Sequence, residues 1–125
     1  MSKLKTRHIY TSESVSEGHP DKICDQISDA ILDACLAKDP KAHVGCETAV
    51  GPNLVVNLGE ISCNKWEEIN PCVIARHVVK DIGYDDPSDG FSCDTFNYIS
   101  AIHGQSENIK RGVVRDKPED QGAGD

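Results

Sequence analysis

The run Ser14-Val15-Ser16-Glu17-Gly18-His19-Pro20-Asp21-Lys22 constrains this 125-residue chain more than any other segment. Proline has a preset φ and no backbone N–H, so Pro20 suits the first position of a helix and breaks one further in. Behind it Ile23, Cys24, Ile27, Ala30, Ile31, Ala34 and Cys35 recur at spacings of three and four, as one apolar helix face requires. The pattern predicts a helix over 20–37, closed near Asp39-Pro40. His19 then falls near the N-cap and Asp21 in the first turn. The positive end of the helix dipole and the free N–H groups of that turn favour an anionic phosphate. The Asp21 carboxylate suits a hard divalent cation beside it. The same two residues also fit a plain capping histidine and a first-turn acid that compensates the dipole, worth ~0.3–1 kcal/mol. Spacing alone does not choose between these readings.

Further along, residues 8–15 read as a short strand entering a loop. Residues 42–51 and 53–62 read as two strands joined at Gly51-Pro52-Asn53, a turn-forming cluster. Asn70-Pro71 offers an N-cap followed by proline, Val73, Ile74, Val78 and Ile82 keep the helical period, and Gly83 suits a left-handed stop. After the turn-rich 85–90, Phe91 to His103 reads as a third long strand. From Gly104 onward the periodicity ends, and a structureless stretch of that length is a functional lid or disordered. Paired strands interspersed with helices point to an α+β domain over 1–125, a mainly antiparallel sheet with helices packed on one face.

A net charge of −8 argues against a nucleic-acid partner, since such domains carry a basic stripe. No apolar run reaches membrane-spanning length, and the basic start Met1–His8 lacks the apolar stretch of a secretory signal. A cytoplasmic protein with no membrane partner is therefore expected. The six cysteines show no C-x-x-C and no zinc-like spacing, and Cys24 and Cys35 lie on the apolar helix face. They read as buried free thiols rather than disulfides. Asp25, Asp29 and Asp33 follow Asp21 at steps of four. Each step rotates about 40° around a helix of 3.6 residues per turn, so the stripe drifts and reads as a solvated face or a contact to further domains.

Several segments taken together resemble the N-terminal domain of S-adenosylmethionine synthetase (methionine adenosyltransferase): TSESVSEGHPDKICDQISDAILDA at 11–34, CET at 46–48, GEIS at 59–62, IGYDD at 82–86, GF at 90–91, QS at 105–106 and GAGD at 122–125. The resemblance implies one of three similar α+β domains in a longer chain, here truncated at the GAGD motif. It implies synthesis of S-adenosylmethionine from ATP and L-methionine: the methionine sulfur attacks the 5′ carbon of ATP, and the departing triphosphate is hydrolysed to phosphate and pyrophosphate. By the same resemblance His19 is the catalytic contact to the ATP phosphates and Asp21 a magnesium ligand. Glu47 is a potassium ligand, Glu60 and Gln105 contact methionine, and Asp125 lies in the motif that meets the adenosine part of ATP. Glu13 is a weaker site candidate, and 105–122 corresponds to a mobile active-site loop. A homodimer or tetramer with active sites between subunits follows, so the isolated chain is expected to be inactive. The family's usual Lys-Thr-Gly is replaced here by Gly51-Pro52-Asn53, and Glu107-Asn108 stand where it often has Pro-Asp. Those departures bear on loop stiffness. A different class of function is a non-catalytic single-domain partner or regulatory module.

Overall fold

In a computed structural model, which describes residues 5–104, helix α1 runs from Pro20 to Lys38. His19 is its N-cap, with extended backbone, and its ring Nδ1 accepts the Asp21 N–H at 3.1 Å. Ile23, Ile27, Ile31 and Cys35 are buried, the stripe expected from the spacing. Asp39 closes the helix. Its carboxylate accepts the N–H groups of Asn64 and Lys41, at 2.9 and 3.0 Å, which hold it below the usual carboxylate range.

Strands β1 (His43–Gly51) and β2 (Leu54–Ser62) form an antiparallel hairpin, with Asn53 left-handed at φ 54° in its turn. Helix α2 (Pro71–Ile82) begins at the Asn70 cap, whose side chain accepts the Val73 N–H at 3.2 Å, and ends at left-handed Gly83. It carries the chain back over the sheet, and β3 (Asn97–His103) therefore joins β2 in parallel, in the order β1-β2-β3. The domain is α+β, as read. Its hairpin supplies the antiparallel pairing, and the helical crossover makes the third strand parallel.

Two expected strands differ. Residues 5–16 form no regular structure, and Ile9 and Tyr10 are 90% and 88% exposed. Among the described residues this segment pairs with neither edge of the sheet, so its alternation has no face to bury. The third strand starts at Asn97 rather than Phe91. The Thr95 and Phe96 N–H groups both turn back to the Ser92 carbonyl, and Phe91, Ser92, Cys93 and Phe96 are buried. Arg76 from α2 holds this turn: its guanidinium donates to the Cys93 and Phe96 carbonyls at 2.9 and 3.1 Å and lies 4.3 Å over the Phe96 ring.

Both helices cover one face of the sheet. The core joins the α1 stripe to Val55, Ile61, Ala75, Val79 and Phe96. Within it a chain of polar side chains is linked by hydrogen bonds. Buried Asn57 donates to Thr48 Oγ1 at 2.8 Å and accepts the Tyr98 hydroxyl at 2.6 Å, and Thr48 shares a 2.7 Å bond with Ser28 of α1. All six cysteines are free thiols; Cys35 and Cys93 are buried and the other four half-buried.

Candidate functional site

The start of α1 is organised by His19. Because Nδ1 accepts the Asp21 N–H, the neutral ring carries its proton on Nε2, which is left to donate elsewhere. The ring is 43% exposed and the Asp21 carboxylate 87%. The 3.9 Å approach of Nδ1 to the carboxylate becomes an ion pair only if the ring is protonated and gives up its capping role. Pro20 has no N–H and the Asp21 N–H is spent on the cap, so neither of these two backbone positions is left to donate to a ligand.

Three bonds brace the preceding turn. The His19 N–H bonds the Ser16 carbonyl at 3.0 Å, Gln26 Nε2 donates to the Glu17 carbonyl at 3.0 Å, and the Tyr84 hydroxyl donates to the Gly18 carbonyl at 2.9 Å. A cleft of about 300 Å³ lies behind the turn between Glu17, Gly18, Gly83, Tyr84 and Asp89. Its two carboxylates, Glu17 and Asp89, disfavour a polyphosphate in the cleft itself.

The remaining predicted residues lie elsewhere. Helix α1 runs antiparallel along β1: Cys24 sits beside Val50, and Ser28 bonds Thr48. His19 therefore projects at the hairpin-turn end of the sheet, on the helix-covered side. In β1 Val44, Cys46, Thr48 and Val50 face the helices, so exposed Glu47 points from the opposite face. In β2 Glu60 alternates with buried Ile61, pairs in register with Gly45 and is half-buried on that same outer face. The fold thus groups Glu47 with Glu60 and separates both from His19 and Asp21. Glu13 is exposed in the irregular leading segment. Gln105, Asp125 and the 105–122 loop lie outside the described residues.

Among the described residues, no three or more His, Cys, Asp or Glu side chains converge as a metal site. Magnesium is commonly held by one or two carboxylates plus waters and substrate phosphates, and a single exposed Asp21 fits that pattern. Glu47 offers one oxygen-donor group for potassium on the open sheet face. Arg76 was not singled out from the sequence, and Tyr84 entered only as part of the IGYDD segment, without a role. The structural role of each is a contact between distant segments, which neither spacing nor apolar pattern signals.

Fold and helix start define an α+β domain with an imidazole donor and a carboxylate side by side at a helix N-terminus. Residues 7–107 match the family model described as S-adenosylmethionine synthetase, N-terminal domain, and the chain belongs to this family. It is 51% identical over its whole length to an S-adenosylmethionine synthase of Solidesulfovibrio magneticus, covering 32% of that protein. It is 50% identical over 121 residues to one of Sorangium cellulosum, covering 95% of this chain and 28% of that protein. The chain thus spans about a third of the length of the curated relatives it matches. No helix among the described residues is long and apolar enough to cross a membrane.

Proposed function

We propose that the protein to which this domain belongs is a cytoplasmic methionine adenosyltransferase that joins ATP and L-methionine and releases phosphate and pyrophosphate. The observation that carries the reading is the His19–Asp21 cap, set in a chain half identical to proteins named S-adenosylmethionine synthase. With Nδ1 engaged in the cap, Nε2–H would donate to phosphate oxygen, where negative charge builds as the triphosphate departs. Asp21 would hold magnesium, which supplies charge neutralisation to the triphosphate. Glu47 would hold potassium, and Glu60 with Gln105 would receive methionine, a carboxylate of this kind suiting its α-ammonium group. Asp125 would meet the adenosine part of ATP, and Glu13 stands at the margin of the site.

The opposite faces of the two groups give this proposal its second part. The outer sheet face, with Leu58 41% and Ile99 52% exposed beside Glu47 and Glu60, needs another surface over it to exclude water from a reacting centre. We read that surface as a second subunit, in a homodimer or tetramer, and hold the 125-residue chain alone to be inactive. The test is S-adenosylmethionine formation and phosphate release by the full-length protein carrying His19→Ala or Asp21→Asn. His19→Ala should lower kcat by about a hundredfold or more. Asp21→Asn should raise the magnesium needed for half-maximal rate while leaving Tm unchanged. Near-normal kcat at low magnesium in Asp21→Asn would remove the metal assignment, and turnover by the isolated chain would remove the subunit requirement.

A further inference from the structure

Tyr84 reaches from beyond the end of α2 to the turn that precedes α1. Its hydroxyl donates to the Gly18 carbonyl at 2.9 Å, across 66 positions of sequence. Its own main chain is pinned on both sides: its N–H bonds the Val79 carbonyl at 3.2 Å, and its carbonyl accepts the Cys93 N–H at 2.8 Å. The ring meets buried Phe91 edge-on, at 5.5 Å and 81°. Phe91 stacks on Phe96 at 5.6 Å, and Phe96 lies under the Arg76 guanidinium. The hydroxyl is thus the tip of a half-buried side chain packed against the core, not a loose surface group.

Gly18 is the residue before His19. A Cβ at Gly18 would stand 3.3 Å from the Tyr84 oxygen, so the two residues are fitted to each other. The bond to Tyr84 fixes the plane of the Gly18–His19 peptide, whose N–H is at the same time held by the Ser16 carbonyl. With that plane set and Nδ1 tied to Asp21, the direction of Nε2 is set as well. We propose that Tyr84 is a positioning residue for the His19–Pro20–Asp21 turn, aiming the imidazole at the triphosphate without touching it. This rests on the phosphate-binding reading of the turn.

The test is Tyr84→Phe in the full-length protein, which deletes the hydroxyl and keeps the ring against Phe91. Loss of one orienting hydrogen bond should lower kcat about five- to tenfold with KM for methionine unchanged. Tm should move by no more than about 3 °C. In a His19→Ala background the same change should alter kcat by less than about twofold, because the group it positions is gone. Equal losses in both backgrounds, an unchanged kcat in the single variant, or a loss of rate that tracks a large fall in Tm each overturn the positioning role. Calorimetric binding of inorganic tripolyphosphate with magnesium separates the two levels. If His19→Ala binds and turns over like the parent, the site reading fails and the inference falls with it. If His19→Ala loses both and Tyr84→Phe loses neither, Tyr84 alone is overturned.

Discussion

The start of α1 and the outer face of the sheet carry the candidate site residues, but they are built in opposite ways. At the helix start, residues within a few positions of one another do the work. His19 caps, Pro20 presets the first turn and Asp21 follows with its carboxylate in solvent. On the sheet, Glu47 and Glu60 share a face only because β1 and β2 pair in one register, Glu47 opposite Leu58 and Glu60 opposite Gly45. A slip of one residue would turn either glutamate toward the helices. Local chemistry forms the first region and one distant contact, Tyr84 to Gly18, braces it, whereas the second depends on every contact that sets the pairing.

The sharpest way to break this contrast is Gly59→Ala. Gly59 sits at φ 123°, opposite Cys46, and a Cβ there would fall on the Gly45 carbonyl oxygen of the neighbouring strand. Backbone cannot move aside as a flexible side chain can, so the loss should exceed about 3 kcal/mol in urea unfolding. A variant that stays as stable as the parent would mean that the hairpin register is far softer than the structure shows.

A smaller effect is expected at Tyr98, which ties β3 to the register through Asn57. Tyr98→Phe should cost about 1 kcal/mol at neutral pH. Burial pushes the Tyr98 hydroxyl up to about 12, above the ordinary tyrosine value of 10.0. Its contribution is therefore fully present below pH about 10 and lost as pH rises from there through about 12. The stability gap between parent and variant, followed by urea midpoints from pH 8 upward, should shrink through that window. A gap that widens would place the hydroxyl as ionised in the fold.

The smallest stability effect belongs to the helix start. Asparagine is a good N-cap, so His19→Asn should change unfolding free energy by less than about 0.5 kcal/mol. The same change in the full-length protein should remove most of the turnover. Cap and chemistry would then separate at one position. Equal rates for the parent and His19→Asn would reduce His19 to a cap.

Legibility followed the same division. The α1 and α2 starts, the Gly83 stop and the β1–β2 hairpin stood in the sequence, because each is set by neighbours in the chain. The strand expected at 8–15 failed because alternation says nothing of a partner, and among the described residues it has none. Phe91–Phe96 kept a strand-like pattern yet turned, since two carbonyls there satisfy Arg76 of α2 and its aromatic rings fill the core. The parallel sense of β3 was hidden for a related reason: it depends on the path of the crossover, not on the residues of the strand.

By itself, then, the sequence determined the capped and periodic helix α1, the adjacent imidazole and carboxylate at its start, and membership in a family through motifs spread along the chain. These are local, because capping and periodicity act over a turn or two. Only the tertiary structure decided that Glu47 and Glu60 lie on the face away from His19, and that Tyr84 reaches across the chain to hold Gly18. Face and reach are relations between segments far apart in sequence, and packing alone sets them.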